Sequence, residues 1–252
     1  MQFVTRILRG SIAKWKLRRF VGDLKTGDLT LVDVGRCFCH VEPLSFRAEL
    51  GPIFLTSGQK LCKIICIMKK MLLHSCCGPC STVVIERLKD SFDLTVFYYN
   101  PNIEPKEEYE KRKVEQQKVC KKFDVPFVDF DYDNDGWRKF VAGLENEREG
   151  GARCEKCFYY RLNQTAKFAK EHGFDLFATT LSVSPHKNTI VINKVGDEIS
   201  KLYDLEFLPE SFKKKDGYLR SINLSKEFEL YRQNYCGCLF GKNQLRDAGT
   251  KT

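Results

Sequence analysis

At 252 residues and 42% hydrophobic, the chain is long enough to bury one sizeable core with an appendage. Its most apolar short run, Leu61 to Ile67, is broken by Lys63 and is far too short to span a bilayer; with no signal peptide in view, twelve cysteines read as cytosolic metal-binding or catalytic thiols rather than a secreted disulfide framework. The net charge of +9 is uneven: residues 1 to 70 carry 13 Lys+Arg against 5 Asp+Glu, leaving 29 against 28 for the rest, so the basicity belongs to the N-terminal segment. A basic segment of that kind serves either as a phosphate contact or as a solvated extension.

Residues 1 to 68 show no sustained period and are expected to be an irregular basic extension or translated leader, with one basic helix from Phe3 to Val21. Cys37-Phe-Cys39-His40 has the look of a metal half-site, but Cys62 and Cys66 do not complete a usual zinc-ribbon spacing. Regular patterning starts at Met71-Leu72-Leu73, a short apolar strand running into His74-Ser75-Cys76-Cys77-Gly78-Pro79-Cys80-Ser81. A helix is predicted from Thr82 to Lys89, so the thiols fall at a strand-to-helix elbow, where α/β proteins place ligands.

Leu94 to Tyr99 reads as a β-branched and aromatic strand ending at the turn Asn100-Pro101-Asn102. A long charged helix, Lys106 to Phe123, and a strand, Phe127 to Asp131, follow. A helix from Trp137 to Leu144 and a flexible run from Glu145 to Gly151 lead to Cys154-Glu-Lys-Cys157. That pair opens a helix on which Phe158, Leu162, Ala166 and Ala169 recur as an apolar stripe, with Gly173 placed to end it. Asp175 to Leu181 is a further buried strand with the loop Ser182 to Asn188 beyond it, then a helix from Thr189 to Leu202 and a short strand, Leu205 to Leu208. The tail from Phe212 to Phe240 turns from basic to acidic and aromatic and delivers Cys236-Gly-Cys238. Strands alternating with helices imply crossover units and a parallel sheet with flanking helices, an α/β fold.

Cys76, Cys77, Cys154 and Cys157 are two close pairs, each at the start of a helix. Four thiolates suit an iron-sulfur cluster or tetrahedral zinc, and thiols that act without metal are the third reading. Adjacent cysteines are awkward around one tetrahedral ion and easier around a cluster or two neighbouring metals. Cys80 is a spare ligand or a small packed hydrophobe. Cys236 and Cys238 close a small, strained ring if oxidised, so a redox pair, a ligand pair and two unrelated packed thiols all stand. Cys120 reads as core. Asn100, Asn102, His74, His186, Lys187, Asp129 and Asp131 are weaker polar candidates: each serves at the ligand end of the sheet or merely packs, turns the chain or is solvated.

Five ordered segments carry a resemblance. His-Ser-Cys-Cys-Gly-Pro-Cys-Ser (74 to 81), Tyr-Asn-Pro-Asn-Ile (99 to 103), Arg-Cys-Glu-Lys-Cys (153 to 157), Thr-Thr-Leu-Ser-Val-Ser-Pro-His-Lys (179 to 187) and Tyr-Cys-Gly-Cys (235 to 238) resemble the QueH-type epoxyqueuosine reductases over residues 69 to about 246, leaving 247 to 252 as a disordered tail. The resemblance implies a sheet-and-helix fold akin to the adenine-nucleotide α-hydrolase-like (PP-loop, HUP-like) proteins. It implies two-electron reduction of epoxyqueuosine to queuosine at the anticodon wobble position of tRNA, the last step of queuosine synthesis, in the cytoplasm and with an external electron donor. It further implies a 4Fe-4S cluster on Cys76, Cys77, Cys154 and Cys157 and a redox-active pair, forming a disulfide bond, in Cys236 and Cys238. A second iron, held by Cys80 or an Asp, stays open. Two rivals share parts of this description. A tRNA-thiolating PP-loop enzyme needs a Ser-Gly-Gly-x-Asp-Ser phosphate loop where this chain has cysteines. A zinc-stabilised RNA-binding module needs the thiols only as structural ligands.

Overall fold

The structure, a computed structural model, describes residues 68–242. The basic helix from Phe3 to Val21, Cys37, Cys39, His40, Cys62, Cys66 and the tail 247–252 lie outside the described residues.

In chain order the elements are β1 (Lys70–His74), α1 (Gly78–Leu88), β2 (Asp93–Tyr98), α2 (Lys106–Phe123), β3 (Phe127–Asp129), α3 (Asn134–Phe140), α4 (Ala152–Glu171), β4 (Leu176–Thr179), α5 (Thr189–Tyr203), β5 (Glu206–Phe207) and α6 (Gly217–Glu227). The five strands form one sheet in the order β3-β2-β1-β4-β5. Every pairing is parallel, with Leu73 opposite Val96 and Ala178 and with Val96 opposite Phe127. The expected parallel sheet with flanking helices is therefore present.

The strand side chains alternate between two cores, as the pleat requires. Met71, Leu73, Leu94, Val96, Leu176 and Ala178 pack toward α1, joined by Val119 of α2 and Leu224 of α6. Leu72, Phe97 and Phe177 point the other way, against the expected stripe Phe158, Leu162, Ala166 and Ala169 of α4 and against Ile192, Val195 and Ile199 of α5. Because β1 is central and covered on both faces, its residues from Met71 to His74 are all buried.

Several boundaries differ from the sequence reading, each for a local reason. The first helix begins at Gly78 rather than Thr82, because Pro79 fits a helical first turn, where its missing N–H is not needed. Cys80 is thereby inside that turn. The third helix starts at Asn134, capped by Asp133, whose carboxylate accepts from Gly136 N at 3.0 Å, and stops at Phe140. The fourth strand gives way at Thr180 to a 3-10 turn, Thr180–Val183. Helix α6 was not expected; its apolar content is low, but it buries Ser221, Leu224 and Ser225. Among the described residues no helix is long and apolar enough to cross a membrane.

Candidate active site

In the strand order, β2 and β3 lie to one side of β1 while β4 and β5 lie to the other, so the topology switches between β1 and β4. Crevices at such switch points, beyond the carboxyl ends of the strands, are where open α/β sheets hold ligands. The loop after β1 carries Cys76 and Cys77 there. The loop after β4 brings His186 and Lys187. The first turn of α4 supplies Cys154 and Cys157, three residues apart and so on one helical face. The C-terminal loop adds Cys236 and Cys238.

Seven of the eight described cysteines belong to this region, and all are free thiols; Cys120 is the exception, buried on α2 as expected. Cys76, Cys80 and Cys236 line a cavity of about 380 Å³ together with Lys187 and Tyr235. Cys236 and Lys187 also line a small adjoining hollow with Cys154. Cys157 and Cys238 pack behind with Trp137 and Val141. The Sγ atoms of Cys76 and Cys77 are 3.9 Å apart. Among the described residues no three His, Cys, Asp or Glu side chains already stand as a cage for one ion.

The elbow is fixed by buried polar residues. Ser75 donates to Gln116 Oε1 at 2.6 Å, Asn100 Nδ2 donates to Ser75 O at 2.8 Å, and Arg161 Nη2 donates to Asn100 Oδ1 at 2.5 Å. His74 is buried between Tyr99 O, 3.3 Å from Nε2, and Thr179 Oγ1, 2.9 Å from Nδ1. Its pKa is lowered to about 3, first by burial and then by Arg161, so it is a neutral, structural imidazole and not a proton source near neutral pH. Asn102 is buried with Oδ1 unpaired.

A second network clamps the C-terminal cysteine loop to α2. Arg112, 2% exposed, is held by Glu108 at 2.7 Å and donates to Cys236 O at 3.1 Å and Tyr235 O at 3.3 Å. Tyr235 Oη donates to Glu104 O at 2.6 Å, and Glu104 N donates to Gly237 O at 2.9 Å. Thus α2, read from sequence simply as a charged helix, turns a polar face of buried Arg112, Glu115 and Gln116 and half-buried Glu108 toward both cysteine loops.

Electrostatics distinguish the thiols. Cys76 is held well below the usual thiol range, chiefly by thiol hydrogen bonds from Cys77 and Cys80, with Lys187 and Arg161 adding positive charge. Cys77 is pushed up to about 11, first by its bond to Cys76, and Cys80 is raised for the same reason. Burial pushes Cys154 up to about 11 and Cys238 up to about 12. Arg161 is 1% exposed and makes no ion pair with a carboxylate among the described residues; nearby thiols raise both Arg161 and Lys187 against the effect of burial. Unpaired buried donors remain on Arg161 Nε and on Arg153 Nε and Nη2. Soft thiol donors beside a buried arginine that makes no ion pair with a carboxylate among the described residues suit a bound anionic metal-thiolate group.

Arg112, Arg161 and Gln116 are not among the residues singled out from the sequence, and Arg153 enters there only as part of the segment 153 to 157. For Arg161 the signal was available: it lies four residues after Cys157, one place before Leu162 of the apolar stripe, where a solvated arginine does not belong. Two carboxylates expected as candidates do not line the cysteine cavity. Asp129 is exposed and pairs with Lys113 at 3.1 Å, and Asp131 is exposed on the loop beyond β3.

A profile of the family described as "Epoxyqueuosine reductase QueH" matches residues 71–244. The protein of that name from Streptococcus pyogenes serotype M1 is 44% identical over 180 residues, covering 69% of this chain and 71% of its own length. The Thermotoga maritima protein of the same name is 37% identical over 183 residues, 71% of this chain and 94% of its own. A solved structure, the U34-tRNA thiolase NcsA from Methanococcus maripaludis with its 4Fe-4S cluster, is 14% identical over 72% of this chain and 66% of that one, with a TM-score of 0.45. That last likeness is too slight to carry an argument.

Proposed function

This chain belongs to the QueH family of epoxyqueuosine reductases, and from that premise we propose that the cysteine cavity removes the epoxide oxygen of epoxyqueuosine at the wobble position of tRNA, in the cytoplasm. The observation that supports this best is the gathering of three cysteine sets around Arg161 and Lys187 at the β1/β4 switch. Residues 69–246 carry the activity.

The reaction breaks two C–O bonds, forms a C=C bond and releases water, so it consumes two electrons and two protons. Oxidation of the Cys236 and Cys238 thiols to a disulfide supplies both, and an external reductant restores the dithiol. Cys236 lines the cavity and Cys238 lies behind it, so Cys236 meets the substrate side and Cys238 resolves the pair. Arg112 holds this loop by its carbonyls rather than by its sulfurs. Lys187 keeps its proton beside Cys76 and Cys236, placing positive charge where the departing oxygen becomes negative. Cys76, Cys77, Cys154 and Cys157 would hold a 4Fe-4S cluster, which when bound would supply single-electron transfer.

Anaerobically purified protein is expected to contain about four irons and four sulfides and to show a brown absorbance that bleaches on reduction. Zinc alone in such material would sink the cluster assignment in favour of a structural metal site. Cys236→Ser is expected to keep the iron but lose multiple turnover on epoxyqueuosine-containing tRNA. Unchanged turnover with a chemical reductant would show that the dithiol has no part in the reaction.

A further inference from the structure

Beside the cysteine cavity lies a larger groove of about 790 Å³, between the first turn of α5 and the 209–214 loop. Pro185, His186 and Lys187 line both, so the groove and the cavity share a wall. Nothing in the chemistry of the thiols requires it.

We propose that this groove seats the ribose-phosphate backbone of the tRNA next to the modified nucleoside; the inference rests on the reductase reading and adds the substrate-gripping surface. Its first support is a set of unanswered polar groups. Thr189 Oγ1, Asn193 Oδ1 and Ser211 Oγ are shielded from solvent without a hydrogen-bond partner, and all three residues line the groove. They are three of nine such atoms among the described residues; Arg153 and Arg161 hold three more beside the thiols, and Gln233 holds one at the cysteine cavity wall. Unsatisfied polar atoms in this protein therefore collect where substrate or cofactor is expected. A buried polar atom without a partner is destabilising, and a ligand in the groove that lets these side chains pair relieves that.

The second support is charge. Lys213 reaches across the groove to Lys187 O at 3.0 Å, and Lys214 is exposed without an ion pair among the described residues, against the single carboxylate of Glu210. Two hydroxyl donors and a lysine match phosphate oxygens. The Asn193 carbonyl, an acceptor whose amide nitrogen is already bound to Pro209 O at 3.2 Å, matches a ribose 2′-hydroxyl. Ile190, 80% exposed and the most exposed large apolar residue described, lines the same groove and offers a surface to a sugar or base. A free anion would fill a small part of this space and make no use of Ile190.

The test is fluorescence-anisotropy binding of epoxyqueuosine-containing tRNA to the full chain at several salt concentrations. Lys214→Ala is expected to weaken binding and to lower the slope of log affinity against log salt by about one. Thr189→Val with Ser211→Ala is expected to weaken it about tenfold, the scale of one to two lost hydrogen bonds. A 2′-deoxy substitution flanking the modified nucleoside should weaken binding to the wild type but not to Asn193→Ala. Lys226→Ala, outside the groove on α6, should match the wild type. Wild-type affinity and salt slope in every groove variant, with wild-type protein still reducing the tRNA, would overturn the groove and leave the reductase reading standing. An equal loss in Lys226→Ala would also overturn it, as a mere net-charge effect. Wild-type protein that fails to reduce the tRNA would overturn the reductase reading and this proposal with it.

Discussion

Arg161→Gln is expected to lose most of its iron on anaerobic gel filtration, while Arg161→Lys retains most of it. Arg161 is buried and donates to Asn100, but Nε has no partner and no carboxylate among the described residues balances the charge. A cation removed from water without a counter-ion costs several kcal/mol. Its compensation among the described thiols is Cys76, which is held well below the usual thiol range with Arg161 as one of the causes. The converse holds for the thiols: without the cation, deprotonating several of them around a metal becomes harder. The metal-free protein is expected to respond differently. There the Arg161→Gln substitution relieves an uncompensated charge but deprives Asn100 of a charged donor, a loss of about 1.5–3 kcal/mol, so the two effects oppose one another in the melting temperature. A full iron complement in Arg161→Gln would show that the arginine serves only to hold Asn100.

The second large effect is expected at the cysteine pair. Gly237 has φ of +137°, a conformation that L side chains rarely adopt. A Cβ there would stand 3.0 Å from Ile103 Cγ1, 3.1 Å from Asn102 Nδ2 and 3.3 Å from Arg112 Nη1, so the substitution strains the backbone and presses on the clamp together. Gly237→Ala is expected to cost about 1–3 kcal/mol, which corresponds to a fall in Tm of roughly 2–12 °C for a domain of this size. It should also abolish multiple turnover, because relief of the clash moves Cys236 and Cys238 away from Arg112 and Glu104. Gly173→Ala is the control. It too has positive φ, +69°, but a Cβ there meets nothing within 4 Å. A comparable loss of stability without loss of turnover is expected for it. If Gly237→Ala keeps full turnover, the position of the pair is not set by this loop.

The α/β class, the order of strands and helices up to Phe207, the α4 stripe and the membership of the cysteine sets are legible in the chain alone. These are local matters: apolar period, turn chemistry and close spacing are written along it. The same locality explains the errors. A helix such as α6, with few apolar residues and no strong cap, is stabilised by docking on α1, and nothing in its own period announces it. The order β3-β2-β1-β4-β5 likewise emerges only in three dimensions, and with it the crevice that unites Cys76, Cys154 and Cys236 across 160 residues of chain. The buried charges needed tertiary packing most of all. Arg112 reads in sequence as an ordinary solvated residue of a charged helix, and the place of Arg161 beside the apolar stripe shows only that it is buried; they become the clamp and the counter-charge of the site because packing removes their water and sets Glu108 and backbone carbonyls against one, Asn100 and the thiols against the other.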